Sequence, residues 1–442
     1  MMRDSANGQS AVGPNPIRVM EIELAKRLPA IDPVSRTGRA YARTSILARL
    51  HGRPLGVVVT EIGQNGLTPT EVAGCIWREL APRINEHLRA DGLDQVELLP
   101  LNGLLDVPDP RCTAAREKCR REAPTASIIV ATHERPTGLA RTLHSLAELD
   151  YPSFELIVVD NAPETSDTFD MLQRDFTHMS RLRYVKEPRR GLTPSRVRGL
   201  ELATGTIVAF TDDDVVVDRQ WLAELATGFE LGDEIACVTG LTFPLELDTP
   251  AQIWFEEYGG FGKGFDQRSF NLGRNRPSDR LFPYAVARVG SGNNMAWRAD
   301  LLRNIGGFDL ALTRTGAEDI SAFFDAITNG YTIVYEPGAL IFHEHRRDYV
   351  DLKRQMYWYG IGLGAYLTRC LMADWKSAVD LAGRAPSGLI YMLNPASGKN
   401  KKKSRAYPNE LTRLERQGAL RGPFTYFRGR REVGRERSAK RG

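Results

Sequence analysis

Asp212, Asp213 and Asp214 follow almost directly on the apolar run Thr206-Ile207-Val208-Ala209-Phe210. The run reads as a short buried strand, so the three acids sit at its carboxyl end. In an open α/β sheet that edge is where ligands bind. Three carboxylates this close repel one another unless a positive group lies among them. A hard divalent cation, Mg²⁺ or Mn²⁺, meets that need by taking one or two carboxylates and completing its shell with substrate phosphates. A metal-diphosphate site is one reading of the triplet. Capping of the helix expected through Arg219-Gln220-Trp221-Leu222, by Asp213 or Asp214, is the other. An EF-hand is excluded, because the spaced acids, central glycine and closing glutamate are missing.

The elements around the triplet decide what it can serve. Ser127 to Ala131 reads as a buried strand, Leu139 to Leu149 as an amphipathic helix, and Glu155 to Val159 as a second buried strand ending at Asp160-Asn161. Pro194 opens a helix that leads through Gly205 into the strand before the acids. This alternation predicts a mostly parallel sheet with right-handed crossovers. Three strands then end in polar residues on one edge: Thr132-His133-Glu134-Arg135, Asp160-Asn161 and Asp212-Asp213-Asp214. No GxGxxG follows the first strand, which disfavours a dinucleotide site, and no GxxxxGK[ST] occurs, which removes the P-loop. Sugar nucleotidyltransferases remain an alternative. They share the parallel sheet and Mg²⁺, but a Gly-rich loop is expected where this chain has Thr132-His133-Glu134-Arg135-Pro136.

Ser127 to Arg135, Glu155 to Asn161, Gly191 to Gly199 and Ile207 to Asp214 resemble the nucleotide-binding half of a family 2 glycosyltransferase with a GT-A fold. The resemblance continues through Gly290-Ser291-Gly292-Asn293-Asn294-Met295-Ala296, Gly306 to Asp309 and Gly316-Ala317-Glu318-Asp319, so it spans about residues 124–345. It implies that Thr132 and Glu134 line the base and ribose, and that Asp160 contacts the base. Asp212 and Asp214 match the outer positions of a DxD motif, with Asp214 the direct ligand of Mn²⁺ or Mg²⁺. Arg135, Arg196, Asp213, Asn293 and Asn294 complete the expected nucleotide-sugar-binding set. Asp319 matches the general base of inverting members, and Glu318 beside it is the second catalytic candidate. His343 resembles a histidine that reaches the metal or diphosphate. Glu318-Asp319 also suit a helix N-terminus, where acids favour the macrodipole. Two departures stand out. Ser195-Arg196-Val197 replaces the Ala-Arg-Asn that family members often carry, and the QxxRW of processive synthases is missing although Gln355, Tyr357 and Trp358 lie in its region. A non-processive, metal-dependent, inverting transferase using a nucleotide-diphosphate sugar, preferably a UDP-sugar, is the implied function, in carbohydrate or cell-envelope biosynthesis. The acceptor is not legible. A non-catalytic nucleotide-sugar-binding or membrane-docked protein is the competing class.

At 442 residues the chain is long for one core, and a main domain with a smaller companion is expected. We read 1–16 as a disordered N-terminus, 17–107 as a small α/β domain, 108–124 as a linker, 125–350 as the GT-A domain, 351–398 as a helical, interfacial segment and 399–442 as a basic tail. The small domain carries one strong helix, with Thr68 as N-cap, Pro69 at its first position, Glu71 closing a capping box, and Val72, Ile76, Leu80, Ile84 and Leu88 as its apolar stripe. Pro82 is expected to bend it. The net charge of +4 conceals an asymmetry. Lys399 to Gly442 holds 15 basic and 4 acidic residues, a local +11, which leaves −7 for the rest. Cations mixed with Pro423-Phe424-Thr425-Tyr426-Phe427 suit an anionic membrane surface, while a solvated, disordered end is the plain alternative. Specific nucleic-acid binding is not expected. Met356 to Ala373 is apolar but too short to span, and Arg369 interrupts it. It is read as a helix packed on the catalytic domain, with an interfacial helix as the alternative. Five scattered cysteines and no apolar N-terminal segment suggest reduced thiols and a cytoplasmic location, peripheral at the inner face of the membrane.

Overall fold

The computed structural model describes residues 13–104 and 110–439. The first part is a three-stranded sheet in the order β1 (Ile17–Glu23), β2 (Arg43–Leu50), β3 (Arg53–Glu61). Across it lies α1 (Pro69–Ala90), whose Thr68 and Glu71 form the reciprocal capping box. Val72, Ile76, Leu80, Ile84 and Leu88 are all buried, and the helix runs unbroken through Pro82 to Ala90. The segment expected to be a linker instead holds a helix, α2 (Arg111–Arg121). Residues 108–109 of that segment, 105–107 of the small domain, 1–12 of the expected disordered N-terminus and 440–442 of the basic tail lie outside the described residues.

The second part is a nine-stranded mixed sheet. Its parallel half is β4 (Ala126–Thr132), β5 (Phe154–Asn161), β6 (Leu182–Glu187) and β7 (Ile207–Asp212), linked by α3 (Pro136–Ala147), α4 (Asp167–Asp175) and α5 (Leu192–Leu202). The chain then adds β8 (Val215–Val217), α6 (Trp221–Gly228), β9 (Ile235–Pro244), α7 (Pro250–Tyr258), β10 (Arg268–Phe270), β11 (Asn294–Arg298), α8 (Ala299–Asn304), α9 (Glu318–Thr328) and β12 (Thr332–His343). The order is β10-β12-β9-β11-β7-β4-β5-β6, with β8 on β12. β11 runs antiparallel to both β7 and β9, so the sheet turns mixed where the acids emerge. Side chains alternate across this sheet. Phe210, Trp297 and Phe323 fill the core on one face, and Ile128, Val130, Leu143 and Trp221 fill it on the other.

The two parts are locked by cations of the first meeting acids of the second. Arg49 bonds Asp218 at 2.7 Å, Arg53 bonds Glu224 at 3.0 Å and also Glu336, and Arg116 of α2 bonds Glu224 at 2.8 Å. Glu224 and Glu336 are 3% and 1% exposed, so these are buried pairs that hold one orientation.

The C-terminal region is helical throughout: α10 (Tyr349–Ala373), α11 (Trp375–Leu393) and α12 (Asn409–Ala439). The basic tail is therefore, over its described length, largely a helix packed along α10. Gly360 and Gly364 of α10 meet Gly418 and Gly422 of α12, and a Cβ at Gly364 would lie 2.1 Å from the Ala419 carbonyl oxygen. The glycines and apolar residues of 356–373 serve this close crossing, and no helix among the described residues is long and apolar enough to cross a membrane. The four described cysteines, Cys75, Cys112, Cys237 and Cys370, are free.

Candidate active site

Strand register brings the polar ends together. Thr132 pairs with Asp160 across β4 and β5, and Ala131 pairs with Asp212 across β4 and β7. The triplet does not cap a helix: α6 begins at Trp221 without a side-chain cap, and the acids lead straight into β8. Three arginines neutralise them. Arg135 donates to Asp213 at 2.9 Å and Asp214 at 2.8 Å, Arg346 lies 3.7 Å from Asp214, and Arg196 lies 3.4 Å from Asp212.

The triplet divides by partner. Asp213 accepts from Thr132 Oγ1 at 2.7 Å and from Arg135, so both its oxygens are used. Burial pushes Asp213 up to about 6 against the pull of Arg135. Burial also lifts Asp212 to about 6, with Asp214 and Asp319 adding to the shift and Arg196 opposing it. Asp214 moves the other way: burial alone would raise it, but His343, Arg135 and Arg346 hold it below the ordinary carboxylate range. Its Oδ1 is buried with no hydrogen-bond partner.

His343, at the end of β12, brings its Nε2 to 3.3 Å from that bare oxygen. Its Nδ1 lies 2.8 Å from His345 Nδ1, and His345 Nε2 lies 2.8 Å from Glu256 Oε1. Burial holds His343 down to about 4, so its ring is neutral at pH 7. With its Nδ1 turned to His345, His343 brings Nε2 to the one oxygen of Asp214 that has no hydrogen-bond partner. A carboxylate oxygen and an imidazole nitrogen converging in a buried site are a donor pair that suits Mn²⁺.

On the other side of the cleft, Asp319 opens α9. Its Oδ2 accepts from the Gly292 N–H at 2.8 Å and its Oδ1 from the Ile320 N–H at 2.7 Å. Glycine at 292 is required by closeness, since a Cβ would lie 2.5 Å from Arg196 Nη1 and 2.8 Å from Asp319 Oδ2.

Several expected site residues sit elsewhere. Glu318 is 1% exposed and bonded to Arg196 at 2.9 Å, turned into the protein, so it cannot reach a substrate; burial lifts it to about 7 despite that arginine. Arg196 is itself 3% exposed and donates to the Gly292 carbonyl at 2.8 Å, which makes it a buried cation beneath the acids rather than a donor contact. Asn294 faces the opposite side of the sheet. It accepts from Trp221 Nε1 and donates to the Leu241 and Ala339 carbonyls, with no polar atom left over. Asn293, one residue earlier and so on the site face, accepts from Ser291 and Thr242 and keeps a buried Nδ2 without a partner. Glu134 adopts φ 51° and clamps the next loop through the N–H groups of Glu164 and Thr165. Asp160 accepts from Tyr184 at 2.8 Å and leaves Oδ1 buried and bare, and its burial raises its proton affinity.

Sequence reasoning missed Glu256, His345 and Arg346, though His343-Glu344-His345-Arg346 at a strand end was a signal in itself. It also missed Lys263, which burial and Lys402 push down to about 8 while Glu256 and Asp319 pull it up. Tyr359 of α10 packs its ring near Phe255 and Tyr258 of α7, the helix that carries Glu256.

A parallel half-sheet that ends in a DxD pair, continues through antiparallel β11 and faces a carboxylate at the head of α9 is the architecture of a GT-A glycosyltransferase. Residues 127–303 match the family model described as Glycosyl transferase family 2. Over that segment, which runs from β4 to α8, the chain is similar to that family. Glucosyl-dolichyl phosphate glucuronosyltransferase of Haloferax volcanii is 26% identical over 246 residues, 53% of this chain and 74% of that protein. The pre-mycofactocin glycosyltransferase of Mycobacterium tuberculosis is 26% identical over 239 residues, and the alignment spans 46% of its length. Among solved structures, the mannosyltransferase PcManGT from Pyrobaculum calidifontis, in complex with GDP-Man and Mn²⁺, covers 70% of this chain and 95% of its own at 18% identity and TM-score 0.44.

Proposed function

We propose that this glycosyltransferase is divalent-metal-dependent and inverting, and that it moves a sugar from a nucleotide-diphosphate donor to an acceptor hydroxyl. The observation that carries the reading is the approach of His343 Nε2 to within 3.3 Å of Asp214 Oδ1, a buried oxygen with no hydrogen-bond partner, on the same edge as Asp212 and opposite Asp319. Asp214, His343 and Asp212 would hold Mn²⁺ or Mg²⁺, whose role when bound is to neutralise the departing diphosphate. Arg135 and Arg346 add positive charge on that side. Asp160, with its bare oxygen at the end of β5, is the contact for the base, and Thr132 reaches the donor side only through Asp213. Asp319, fixed by two N–H groups, takes the proton of the attacking hydroxyl. A UDP-sugar is the favoured donor. Asp214→Asn is expected to abolish transfer and the Mn²⁺-dependent thermal shift while leaving the fold intact, and unchanged turnover would remove the metal assignment. Donor hydrolysis with and without Mn²⁺ separates this function from a non-catalytic nucleotide-sugar-binding protein.

A specific observation favours acceptor transfer at a membrane surface. No residue of α11 is buried, and Trp375, Val379, Leu389, Ile390 and Leu393 recur along one exposed stripe, with Trp375 72% exposed. The exposed Leu420 and Phe424 of α12 likewise stand among arginines. Apolar side chains with flanking cations fit the headgroup boundary of an anionic bilayer. Cosedimentation with phosphatidylglycerol vesicles is expected, with Trp375→Ser and Leu389→Ser together releasing the protein; binding that persists in that variant would refute the α11 contact.

A further inference from the structure

Far from the sugar-transfer cleft, three segments of the first domain converge on one point. His51 comes from the turn between β2 and β3, His87 and Asp91 from the last turn and C-cap of α1, and Cys112 from the first turn of α2. Nδ1 of His51, Nε2 of His87, a carboxylate oxygen of Asp91 and Sγ of Cys112 lie within 4.8 Å of one another, the one such set of three or more His, Cys, Asp and Glu donors among the described residues.

Hydrogen bonding alone serves this arrangement poorly. His51 Nδ1 lies 2.8 Å from Asp91 Oδ2 and 3.1 Å from His87 Nε2, and His87 Nε2 lies 3.1 Å from the same Asp91 oxygen. The three atoms form a closed triangle. A proton lies along one edge at a time, so with neutral rings either two N–H groups confront each other or an imidazole lone pair faces the carboxylate. Cys112 Sγ adds a fourth group, 2.9 Å from Asp91 Oδ2 and 3.9 Å from His87 Nε2. One cation at the centre would meet all four lone pairs at once.

The backbone is committed to this convergence. His51 holds φ 53°, a left-handed conformation that costs a non-glycine residue energy. Its Nδ1 faces Asp91 and His87, while Nε2 is buried without a partner.

We propose that His51, His87, Asp91 and Cys112 form a tetrahedral structural Zn²⁺ site. The donor set decides the metal: thiolate and imidazole select zinc over the hard Mg²⁺ or Mn²⁺ of the catalytic edge, and four protein ligands leave no open position for catalysis. On binding, the Cys112 thiol gives up its proton to solvent and the thiolate coordinates. The site pins the start of α2 to the end of α1, and α2 in turn delivers Arg116 to Glu224 of the catalytic domain. Zinc is thereby the clip that holds the two domains in one orientation.

The test uses the full chain. Elemental analysis of protein washed with mild chelator is expected to find one Zn²⁺ per chain, retained in Asp214→Asn and lost in Cys112→Ser and His87→Gln. Exchange for Co²⁺ should give a thiolate-to-cobalt charge-transfer band and intense d–d bands of tetrahedral geometry. Stripping the metal should speed proteolysis within 111–121. Substoichiometric zinc, equal zinc in the Cys112→Ser protein, or an octahedral, thiolate-free cobalt spectrum of the native chain would each overturn the proposal. The cobalt spectrum needs no variant, so misfolding of a mutant cannot shelter the idea.

Discussion

Gly292→Ala tests whether Asp319 owes its position to the chain beside it. The new Cβ would lie 2.8 Å from Asp319 Oδ2 and 2.9 Å from its Cβ, where ordinary contact begins near 3.4 Å. Arg196, on the opposite side at 2.5 Å, is pinned by Glu318 and by the Gly292 carbonyl, so little of the clash can be absorbed there. Asp319 must therefore retreat by about half an ångström and loosen its bond to the residue 292 N–H. A misplacement of 1 Å costs on the order of 10²-fold, so a loss of roughly 10- to 100-fold in kcat is expected. That is about 1.4–2.7 kcal/mol of transition-state stabilisation. Overpacking should take about 1–3 kcal/mol from stability. Nucleotide release from the donor with Mn²⁺ reads kcat, calorimetry reads donor affinity and urea unfolding reads stability. Donor Kd should change less than about threefold, because the lesion lies on the acceptor side. A folded Gly292→Ala protein with wild-type kcat would refute the argument that this contact positions the base.

Asp160→Asn should stabilise the protein while weakening donor binding. The buried acid holds its proton more tightly in the folded state, so below the ordinary aspartate range the folded and unfolded chains bind it equally. As pH rises through that range and up through the raised folded value, the unfolded chain binds fewer protons and stability falls. The asparagine variant should lose this fall and gain about 1–2 kcal/mol at pH 7, read by urea unfolding across pH. A variant less stable than wild type at pH 7 would contradict it. Arg53→Met removes the only cation paired with Glu336 among the described residues and one of two on Glu224. With Arg116 still on Glu224, a cost near the low end of about 3–5 kcal/mol is expected, and a loss below about 1 kcal/mol would show that the interface does not depend on the pair.

What was legible in the sequence was local. The capping box of α1, its every-fourth-residue stripe and the three strands ending in polar residues each follow from neighbours within a few positions. Antiparallel β11 was hidden because its apolar core, Met295-Ala296-Trp297, is short and its partners β7 and β9 lie far off in the chain. The helical packing of the tail was hidden for a different reason. Charge and aromatic content suggested solvent or membrane, but the residues of α12 that seat it on α10 are Gly418 and Gly422, which mean little until Gly360 and Gly364 are known to face them. Asn293 and Asn294 looked equivalent in the motif, yet at the entry to β11 neighbouring side chains part, so that Asn293 meets Ser291 and Thr242 and Asn294 meets Trp221. The two histidines stood together at a strand end, but their link to Glu256 was beyond reach because that residue lies on α7, 89 positions before His345.

The arginines explain why the acid triplet is not three equivalent ligands. Arg196 supports Asp212 from beneath, Arg135 bridges Asp213 and Asp214, and Arg346 approaches Asp214 from the end of β12. Each occupies a direction from which a cation could otherwise approach. Asp213, with both oxygens taken by Thr132 and Arg135, is left to hold the loop. The remaining side holds the bare oxygen of Asp214, the Nε2 of His343 and the 29% exposed side chain of Asp212. A protein that merely needed to neutralise three carboxylates could have closed that side with a fourth basic residue. Instead it sets there a buried imidazole, braced from behind by His345 and Glu256, beside an oxygen left without a partner, an arrangement that suits a cation arriving from outside.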